Sequence, residues 1–177
     1  MHDPDDAALA RAAAGDDAAA FGALVRRHER AVRHFLERLT RGDVSADDLA
    51  QETFVKAWRT ARSWRGDGSY AGWLMRIAWT TFLSNRRSGA RRAAREQAVY
   101  EQAETHSRDP GIAIDVDRAL ASLTPPERAA ALLCLGEGYS HGEAATILAL
   151  PLGTLKSMVG RARTRLAAAL EEQDDTG

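Results

Sequence analysis

Helical periodicity is the strongest pattern in the first third of the chain. Large side chains recur there at steps of three and four, and they are Phe21, Leu24, Val25, His28, Val32, Phe35, Leu36 and Leu39. That spacing follows the 3.6-residue turn of an α-helix and places all of them on one face. Nothing in this part alternates with the two-residue period of a β-strand. An all-α fold is therefore predicted.

Capping residues divide the first half into helices. Asp16 or Asp17 can cap the first one, and Ser45 opens the next, which runs to about position 62. Ser69 follows a loop with two glycines and can cap a third helix over 70–92. The 45–62 helix is predicted to bury Leu49, Ala50, Phe54, Ala57, Trp58 and Ala61, and to expose Asp48, Gln51, Glu52, Val55 and Arg59.

The second half is a separate set of short helices. Periodicity fades between about 93 and 112 and resumes at 114–122. Thr124, followed by Pro125, marks the next helix start, and Ser140 with Glu143 forms a capping box for a helix over 140–148. The last helix is predicted over 151–171. The expected architecture is two small helical domains, 1–92 and 114–177, joined by a flexible linker over 93–113.

Composition excludes several classes of protein. The chain has 177 residues, and no apolar run approaches the length of a membrane span. One cysteine, Cys134, rules out a disulfide framework and any zinc site that needs two thiolates. The acidic N-terminus lacks the apolar segment of a secretory signal. We expect a cytoplasmic protein with no membrane insertion of its own.

Charge is distributed unevenly along the chain. The net charge is −1, but residues 1–20 carry −4, residues 21–100 carry +8 and residues 101–177 carry −5. A basic middle between acidic ends is typical of a chain that binds a polyanion, although a solvated surface would give the same count.

The last two predicted helices have helix-turn-helix spacing. A short helix over 140–148 is followed within two or three residues by a longer one. Ala144, Ala145 and Leu148 can pack against Leu155, Val159 and Leu166. The longer helix then exposes small polar and basic residues, which suit the major groove: Thr154, Lys156, Ser157, Gly160, Arg161 and Arg163. An ordinary antiparallel helix pair with a solvated basic face is the alternative.

Four segments, in order, resemble the extracytoplasmic-function (ECF) group of bacterial sigma-70 factors. DLAQETFVKAW at 48–58 is similar to their region 2.2, and RGDGSY at 65–70 with WLMRIA at 73–78 to regions 2.3 and 2.4. LASLTPPER at 120–128 resembles the start of region 4. YSHGEAATIL at 139–148, PLGTLKS at 151–157 and RAR at 161–163 resemble its helix-turn-helix.

The resemblance implies three binding surfaces and no catalytic residue, metal or cofactor. Region 2.2 docks on core RNA polymerase, and the matching residues are Asp48, Gln51 and Glu52. Contacts with the minus-ten element, including capture of an unstacked base, fall on Trp64, Asp67, Ser69, Tyr70, Arg76, Thr80, Arg86 and Arg87. Contacts with the minus-thirty-five element fall on Thr154, Lys156, Ser157, Arg161 and Arg163. The implied partners are core polymerase, promoter DNA and an anti-sigma factor.

Three residues depart from the family pattern, namely Trp79, Thr80 and Met158. Trp79 and Thr80 leave the exact minus-ten preference open, and Met158, which stands where relatives often have a basic residue, leaves one phosphate contact of region 4 open. Among the tryptophans, Trp58 and Trp73 are expected in the core, while Trp64 and Trp79 are undecided between core and DNA.

Two other functional classes are alternatives to a sigma factor. A free-standing helix-turn-helix regulator would explain 140–166 but leaves the region 2.2 resemblance unexplained. An enzyme finds little support, because His141 and Glu143 have the spacing of a zinc deaminase but the P-C-x-x-C motif is absent. His28 lies on the apolar stripe and is expected to be a core histidine.

Overall fold

The computed structural model describes residues 4–41, 46–96 and 119–174. In these ranges every regular element is helical, as predicted. The helices are α1 (Pro4–Ala14), α2 (Ala18–Thr40), α3 (Ala46–Arg59), a 3-10 turn (Ala61–Ser63), α4 (Tyr70–Glu96), α5 (Pro125–Ala131), α6 (His141–Leu148) and α7 (Leu152–Asp174).

Helix α2 is the central element of the first half. Its N-cap is Asp17, whose carboxylate accepts from the backbone N–H of Ala19 at 2.9 Å and of Ala20 at 3.0 Å. The predicted stripe faces inward, and its members Leu24, Val32, Phe35, Leu36 and Leu39 are all buried. Burial of such side chains contributes about 1.5–3 kcal/mol each, so this stripe holds the first half together.

Helix α1 is missing from the sequence-based prediction. It packs through small residues, Ala10 and Ala13, and through the buried carboxylate of Asp6. That carboxylate pairs with Arg27 and with His28, whose Nε2 lies 2.8 Å from Oδ2. An alanine-rich helix carries no stripe of large apolar residues, and periodicity therefore gives no signal for it. His28, expected in the core, is partly buried, with its side chain 13% exposed.

The inner face of α3 differs from the prediction at three positions. Phe54 and Trp58 are only partly buried, whereas Thr53 is fully buried and donates from Oγ1 to the Leu49 carbonyl at 2.7 Å. The two aromatic rings border an open groove against α2, where the Trp58 ring lies 5.0 Å from that of Phe21. Leu49, Ala50, Ala57 and Ala61 are buried as predicted.

Two predicted capping boxes define the second half. The Glu127 carboxylate accepts from the Thr124 backbone N–H at 3.1 Å, and that of Glu143 from the Ser140 backbone N–H at 2.9 Å. After α5, the chain continues in a wider π turn over Leu132–Gly136. Helices α6 and α7 then pair through a buried face, as predicted, formed by Ala144, Ala145, Leu148, Leu155 and Val159, with Leu166 partly buried.

Several predictions fall outside the described residues. The linker does so from position 97 onward, and its first residues continue α4 beyond the predicted end at 92. The Ser45 cap and most of the 114–122 helix also lie outside.

The two halves pack against each other. Arg128, only 4% exposed, donates from one guanidinium nitrogen to the Leu39 carbonyl of α2 at 3.0 Å. The same guanidinium donates to the carbonyls of Leu120 at 2.7 Å and Leu123 at 3.0 Å. A single buried arginine thus satisfies carbonyl groups in both halves, which would otherwise lack partners at helix ends.

Candidate nucleic-acid interface

The outer face of α3 carries an acidic and amide cluster. Asp48, Gln51 and Glu52 are all exposed and lie three and four residues apart, so they share one side of the helix. Glu52 pairs with Lys56 at 2.6 Å, and Val55 beside it is 42% exposed. Carboxylates flanking an apolar side chain suit a partner surface that carries arginines.

A groove runs beside this cluster, between α2 and α3. It encloses about 460 Å³ and is lined mainly by apolar side chains, namely Ala18, Phe21, Val25, Gln51, Phe54, Val55 and Trp58. The sequence-based reasoning missed it by assigning Phe54 and Trp58 to the core. The groove extends the α3 face with a surface that apolar side chains of a partner can fill.

The 65–70 loop stands out from the helices. Gly66 and Gly68 have φ of 83° and 81°, a left-handed conformation that glycine adopts without strain. Asp67, between them, is exposed. Ser69 caps α4 as predicted, because its Oγ accepts from the Gly72 N–H at 3.1 Å.

The aromatic residues near the loop differ in their access to solvent. Tyr70 is 4% exposed, and its ring lies 5.8 Å from Trp64 and 5.3 Å from Trp73. Burial, together with the nearby Asp6 carboxylate, raises the pKa of Tyr70. Tyr70 is therefore part of the core in this arrangement and does not offer its ring to a base.

Trp64 is partly exposed beside the loop, and its Nε1 has no acceptor in the described part of the chain. Trp79 is 5% exposed and stacks on Phe82 at 5.6 Å. Of the two undecided tryptophans, Trp79 therefore lies in the core and Trp64 lies at the edge of the loop. Trp73, expected in the core, is partly buried.

Helix α4 brings together three of the four residues predicted for its DNA face. Arg76, Thr80 and Arg87 are exposed at spacings that place them on one side of the helix. Arg86 lies about a quarter turn away, with its guanidinium 5.8 Å from the centre of the Phe82 ring. The Thr80 hydroxyl donates to the Ile77 carbonyl at 2.9 Å.

The α7 residues form two separate groups. All five predicted residues are exposed. Thr154, Ser157 and Arg161 follow one another at three and four residues and make a stripe opposite the buried face. Lys156 and Arg163, seven residues apart, share another side of the helix, roughly 140° around it from that stripe at about 100° per residue. The exposed surface of α7 thus carries small polar groups with Arg161 on one side and a second cationic pair on the other.

Glu127 ties α7 to α5. Its Oε1 accepts from Arg161 Nε at 2.8 Å, while Oε2 accepts from Thr124. The Arg161 hydrogen bond is the main cause that lowers the pKa of Glu127 to about 2. The sequence marks Glu127 only as a capping residue, since nothing in it links two positions 34 residues apart. The ion pair orients the half-exposed guanidinium of Arg161.

A pH-dependent stability test follows from this ion pair. The pKa of Glu127 is lower in the folded chain, so its contribution is complete above about pH 4.5 and is lost as pH falls toward 2. We expect Glu127→Gln to lower the free energy of unfolding by about 1–3 kcal/mol at pH 7, and by less at pH 3.5. Urea unfolding at the two pH values measures both.

The matched control is Glu143→Gln, because Glu143 closes a similar capping box without an arginine partner among the described residues. At pH 7 it should lower the free energy of unfolding by less than Glu127→Gln does. The role of the Arg161 pair would be contradicted if the two substitutions lowered the free energy of unfolding equally. It would also be contradicted if the effect of Glu127→Gln were the same at both pH values.

No helix in 4–41, 46–96 or 119–174 is long and apolar enough to cross a membrane. Within the same ranges, no group of three or more His, Cys, Asp or Glu side chains is placed to hold a metal ion.

Comparisons with known proteins match both halves. The family model Sigma-70 region 2 matches residues 24–92, and the model Sigma-70, region 4 matches residues 113–166. A curated relative, the ECF RNA polymerase sigma factor SigM of Mycobacterium tuberculosis, is 39% identical over 171 residues, which cover 96% of this chain and 86% of SigM. Helix α1 precedes the region 2 match.

Two solved structures have the same fold. The sigma factor RpoE of Bartonella quintana, in complex with the anti-sigma factor NepR, matches with a TM-score of 0.73 and 30% identity, covering 85% of this chain and 96% of RpoE. CnrH, in complex with the cytosolic domain of CnrY, matches with a TM-score of 0.71 and 29% identity, covering 95% and 98% of the two chains.

Proposed function

The chain belongs to the ECF sigma factors of the sigma-70 family, and we propose from this that it binds core RNA polymerase in the cytoplasm and directs transcription initiation at a specific set of promoters. It acts by binding alone and is not an enzyme. The observation that carries the proposal is the presence of three exposed surfaces, on α3, on the 65–70 loop with α4, and on α7. From the N-terminus to the C-terminus, these surfaces correspond to region 2.2, to regions 2.3 and 2.4, and to region 4 of the sigma factors.

The α3 face is the proposed polymerase-docking surface. Asp48, Gln51 and Glu52 offer acceptors to arginines of the partner, and charge-assisted bonds of this kind are roughly twice as strong as neutral ones. Exposed Val55 and the groove beside it supply apolar contact area.

The 65–70 loop and α4 form the proposed minus-ten surface. An unstacked base needs a flat ring to lie against and polar groups along its edge. Trp64 supplies the ring, with Tyr70 supporting it from the core, and Asp67 and Ser69 supply the polar groups. Arg76, Thr80 and Arg87 face the neighbouring backbone, and Arg86 reaches it from the side.

Energetics explain why polymerase is required. Separating about ten base steps costs roughly 14 kcal/mol at about 1.4 kcal/mol each. A captured base returns only about 1–3 kcal/mol. One loop of this size holds one or two bases, so the chain selects the sequence while the polymerase completes melting.

Helix α7 is the proposed reader of the minus-thirty-five element. Its stripe of Thr154, Ser157 and Arg161 enters the major groove, while Lys156 and Arg163, on the other side of the exposed surface, contact phosphates. In this assignment residues 1–92 bind polymerase and the minus-ten element, 93–113 link the halves, and 114–177 bind the minus-thirty-five element.

An anti-sigma factor is the proposed inhibitor. The two similar solved structures described above are RpoE with the anti-sigma factor NepR and CnrH with the cytosolic domain of CnrY. Since this chain shares their fold over most of its length, we infer that a partner of the same kind holds it inactive.

Replacing Trp64 tests the base-capture surface. We expect Trp64→Ala to weaken binding of the holoenzyme to a single-stranded minus-ten oligonucleotide by about 10-fold, in line with the stacking of one base. Trp64→Phe keeps a flat ring and should lose less. Fluorescence anisotropy with a labelled oligonucleotide measures both. If the wild type, Trp64→Ala and Trp64→Phe bound the oligonucleotide with equal affinity, Trp64 would not be part of the base-capture surface.

The function itself is tested by adding the purified chain to core polymerase. A complex that melts promoter DNA, seen as permanganate-reactive thymines near position minus ten, is the expected result. A free-standing regulator would instead bind duplex DNA tightly without polymerase and melt none. That outcome would overturn the proposal.

A further inference from the structure

Helix α1 contacts both elements that flank the 65–70 loop. It lies before the region 2 match at residues 24–92 and packs mainly against α2, but it also meets the 3-10 turn at Ala61–Ser63 and helix α4. The 3-10 turn ends just before Trp64 and the loop, and α4 begins at the last residue of the loop, Tyr70. Helix α1 is therefore placed to fix the loop at both ends.

Arg62 fixes the first end of the loop. Its Nε donates to the carbonyl of Ala14, the last residue of α1, at 3.1 Å, and its Nη2 donates to the Asp16 carboxylate at 2.8 Å. Both charged groups are exposed, so the ion pair itself adds little stability. Two bonds from one planar guanidinium nevertheless fix its direction, and Arg62 stands two residues before Trp64. The turn that leads into Trp64 is therefore held against the end of α1.

A series of contacts leads from Asp6 of α1 to the second end of the loop. Asp6 is only 7% exposed, and its carboxylate pairs with Arg27 and lies 2.8 Å from the His28 Nε2. The centre of the His28 ring lies 5.7 Å from that of Tyr70, and the Tyr70 ring meets Trp64 nearly edge-on, with 5.8 Å between centres. Aromatic pairs at such distances favour particular relative orientations. The contacts thus run without a break from a carboxylate of α1 to the indole beside the loop.

Trp64 depends on this support because no hydrogen bond orients its indole within the described part of the chain. Its Nε1 is buried and has no acceptor there, whereas its backbone N–H donates to the Ala61 carbonyl at 3.2 Å. The turn therefore fixes the backbone of Trp64, and packing alone orients its ring. A ring that is already in place stacks on a base without losing rotamer freedom on binding, and affinity rises accordingly.

We propose that α1 is a positioning element that orients Trp64 for stacking on the unstacked minus-ten base. Asp6 acts at one end of the loop, through His28 and Tyr70. Arg62 acts at the other end, through its bonds to the end of α1. The inference rests on the proposed function and assigns positioning residues to its minus-ten step. The charge of Asp6 opposes binding of a polyanion, so a loss of DNA affinity on its removal has to come from positioning and not from charge.

A double-mutant cycle between Asp6 and Trp64 tests the proposal. Holoenzyme carrying Asp6→Ala should bind the labelled single-stranded minus-ten oligonucleotide about 3–10-fold more weakly than the wild type, within the stacking effect of one base. In the Trp64→Ala background the same substitution should change the affinity by less than about 1.5-fold, because the ring that it positions is gone. Asp6→Asn keeps the shape and one acceptor, so it should lose less affinity, and it completes the cycle if Asp6→Ala does not fold.

Fluorine NMR reports on the ring directly. The chain has four tryptophans, and labelling with 5-fluorotryptophan gives one signal for each. The signals of Trp64 and Trp79 are those lost in Trp64→Phe and Trp79→Phe. In the free chain, Asp6→Asn should shift or broaden the Trp64 signal and leave that of Trp79, whose ring stacks on Phe82, in place. A general loosening of the first half would move both signals.

The matched control is Glu29→Ala, because Glu29 is exposed on α2 and its removal changes the net charge equally. The control should bind the oligonucleotide at least as well as the wild type, and all variants should bind core polymerase within about twofold of it. The positioning role would be overturned by unchanged oligonucleotide affinity in the Asp6 variants, by an equal loss in the Trp64→Ala background, by an unmoved Trp64 signal, or by weakened polymerase binding. Wild-type holoenzyme that does not bind the oligonucleotide would refute the proposed function itself, and the inference would fall with it.

Discussion

A chain carrying Asp48→Lys and Glu52→Lys is expected to lose binding to core polymerase by at least about 100-fold, while keeping its fold. Breaking one charged pair in an interface costs about 2–5 kcal/mol, and this variant replaces two acceptors by like charges. The structural cost is small, because both side chains are exposed and an exposed ion pair such as that of Glu52 with Lys56 is worth under about 1 kcal/mol. Equilibrium titration of labelled chain with core polymerase measures the affinity.

The matched control is Glu29→Lys with Asp47→Lys. It changes the net charge equally, and Asp47 occupies the same first turn of α3 but pairs with Arg33 of α2. The control should bind polymerase nearly as well as the wild type. If both double variants lose affinity alike, the effect is one of net charge, and the docking surface is not the α3 face.

Placing acids on the stripe of α7 that we propose reads DNA should have an effect of similar size. We expect Thr154→Glu with Ser157→Glu to reduce promoter-directed transcription by about 100-fold or more, because like charges facing each other across an interface cost several kcal/mol. Affinity for core polymerase should remain unchanged. Transcription by the reconstituted holoenzyme and a binding titration separate the two quantities.

Ala167→Glu with Ala168→Glu is the control for this pair. Both alanines are exposed on the same helix, about 15 Å further along its axis at roughly 1.5 Å per residue. The control should transcribe at close to the wild-type level. Retained activity in the Thr154 and Ser157 variant, or equal loss in the control, would show that this part of α7 does not read DNA.

The helices follow from local sequence signals wherever those signals are strong. The stripe of α2 and the capping residues Asp17, Ser69, Thr124 and Ser140 predict the starts of α2, α4, α5 and α6, because both signals act within one or two turns. The exposed face of α3 was also predictable, since one helix with a clear apolar side leaves the other side to solvent.

What the sequence did not reveal depends on contacts between distant residues. The Glu127 pair with Arg161, the Arg128 bond to Leu39 and the groove beside Trp58 each join segments tens of residues apart. Helix α1 was missed for a different reason, because alanine packs without leaving a stripe of large side chains. Likewise Tyr70 is buried in part by distant segments, since its ring lies 5.7 Å from that of His28 in α2 and the Asp6 carboxylate of α1 helps to raise its pKa.

The central claim, that this chain gives core polymerase its promoter preference, is tested most directly by transcribing fragmented genomic DNA from the source organism in vitro. Core polymerase is assayed with and without the chain, and the 5′ ends of the transcripts are mapped. We expect a set of start sites that appears only with the chain and that shares two short sequence elements, near minus ten and minus thirty-five. Identical start sites in both reactions, or new ones that share no element, would contradict it.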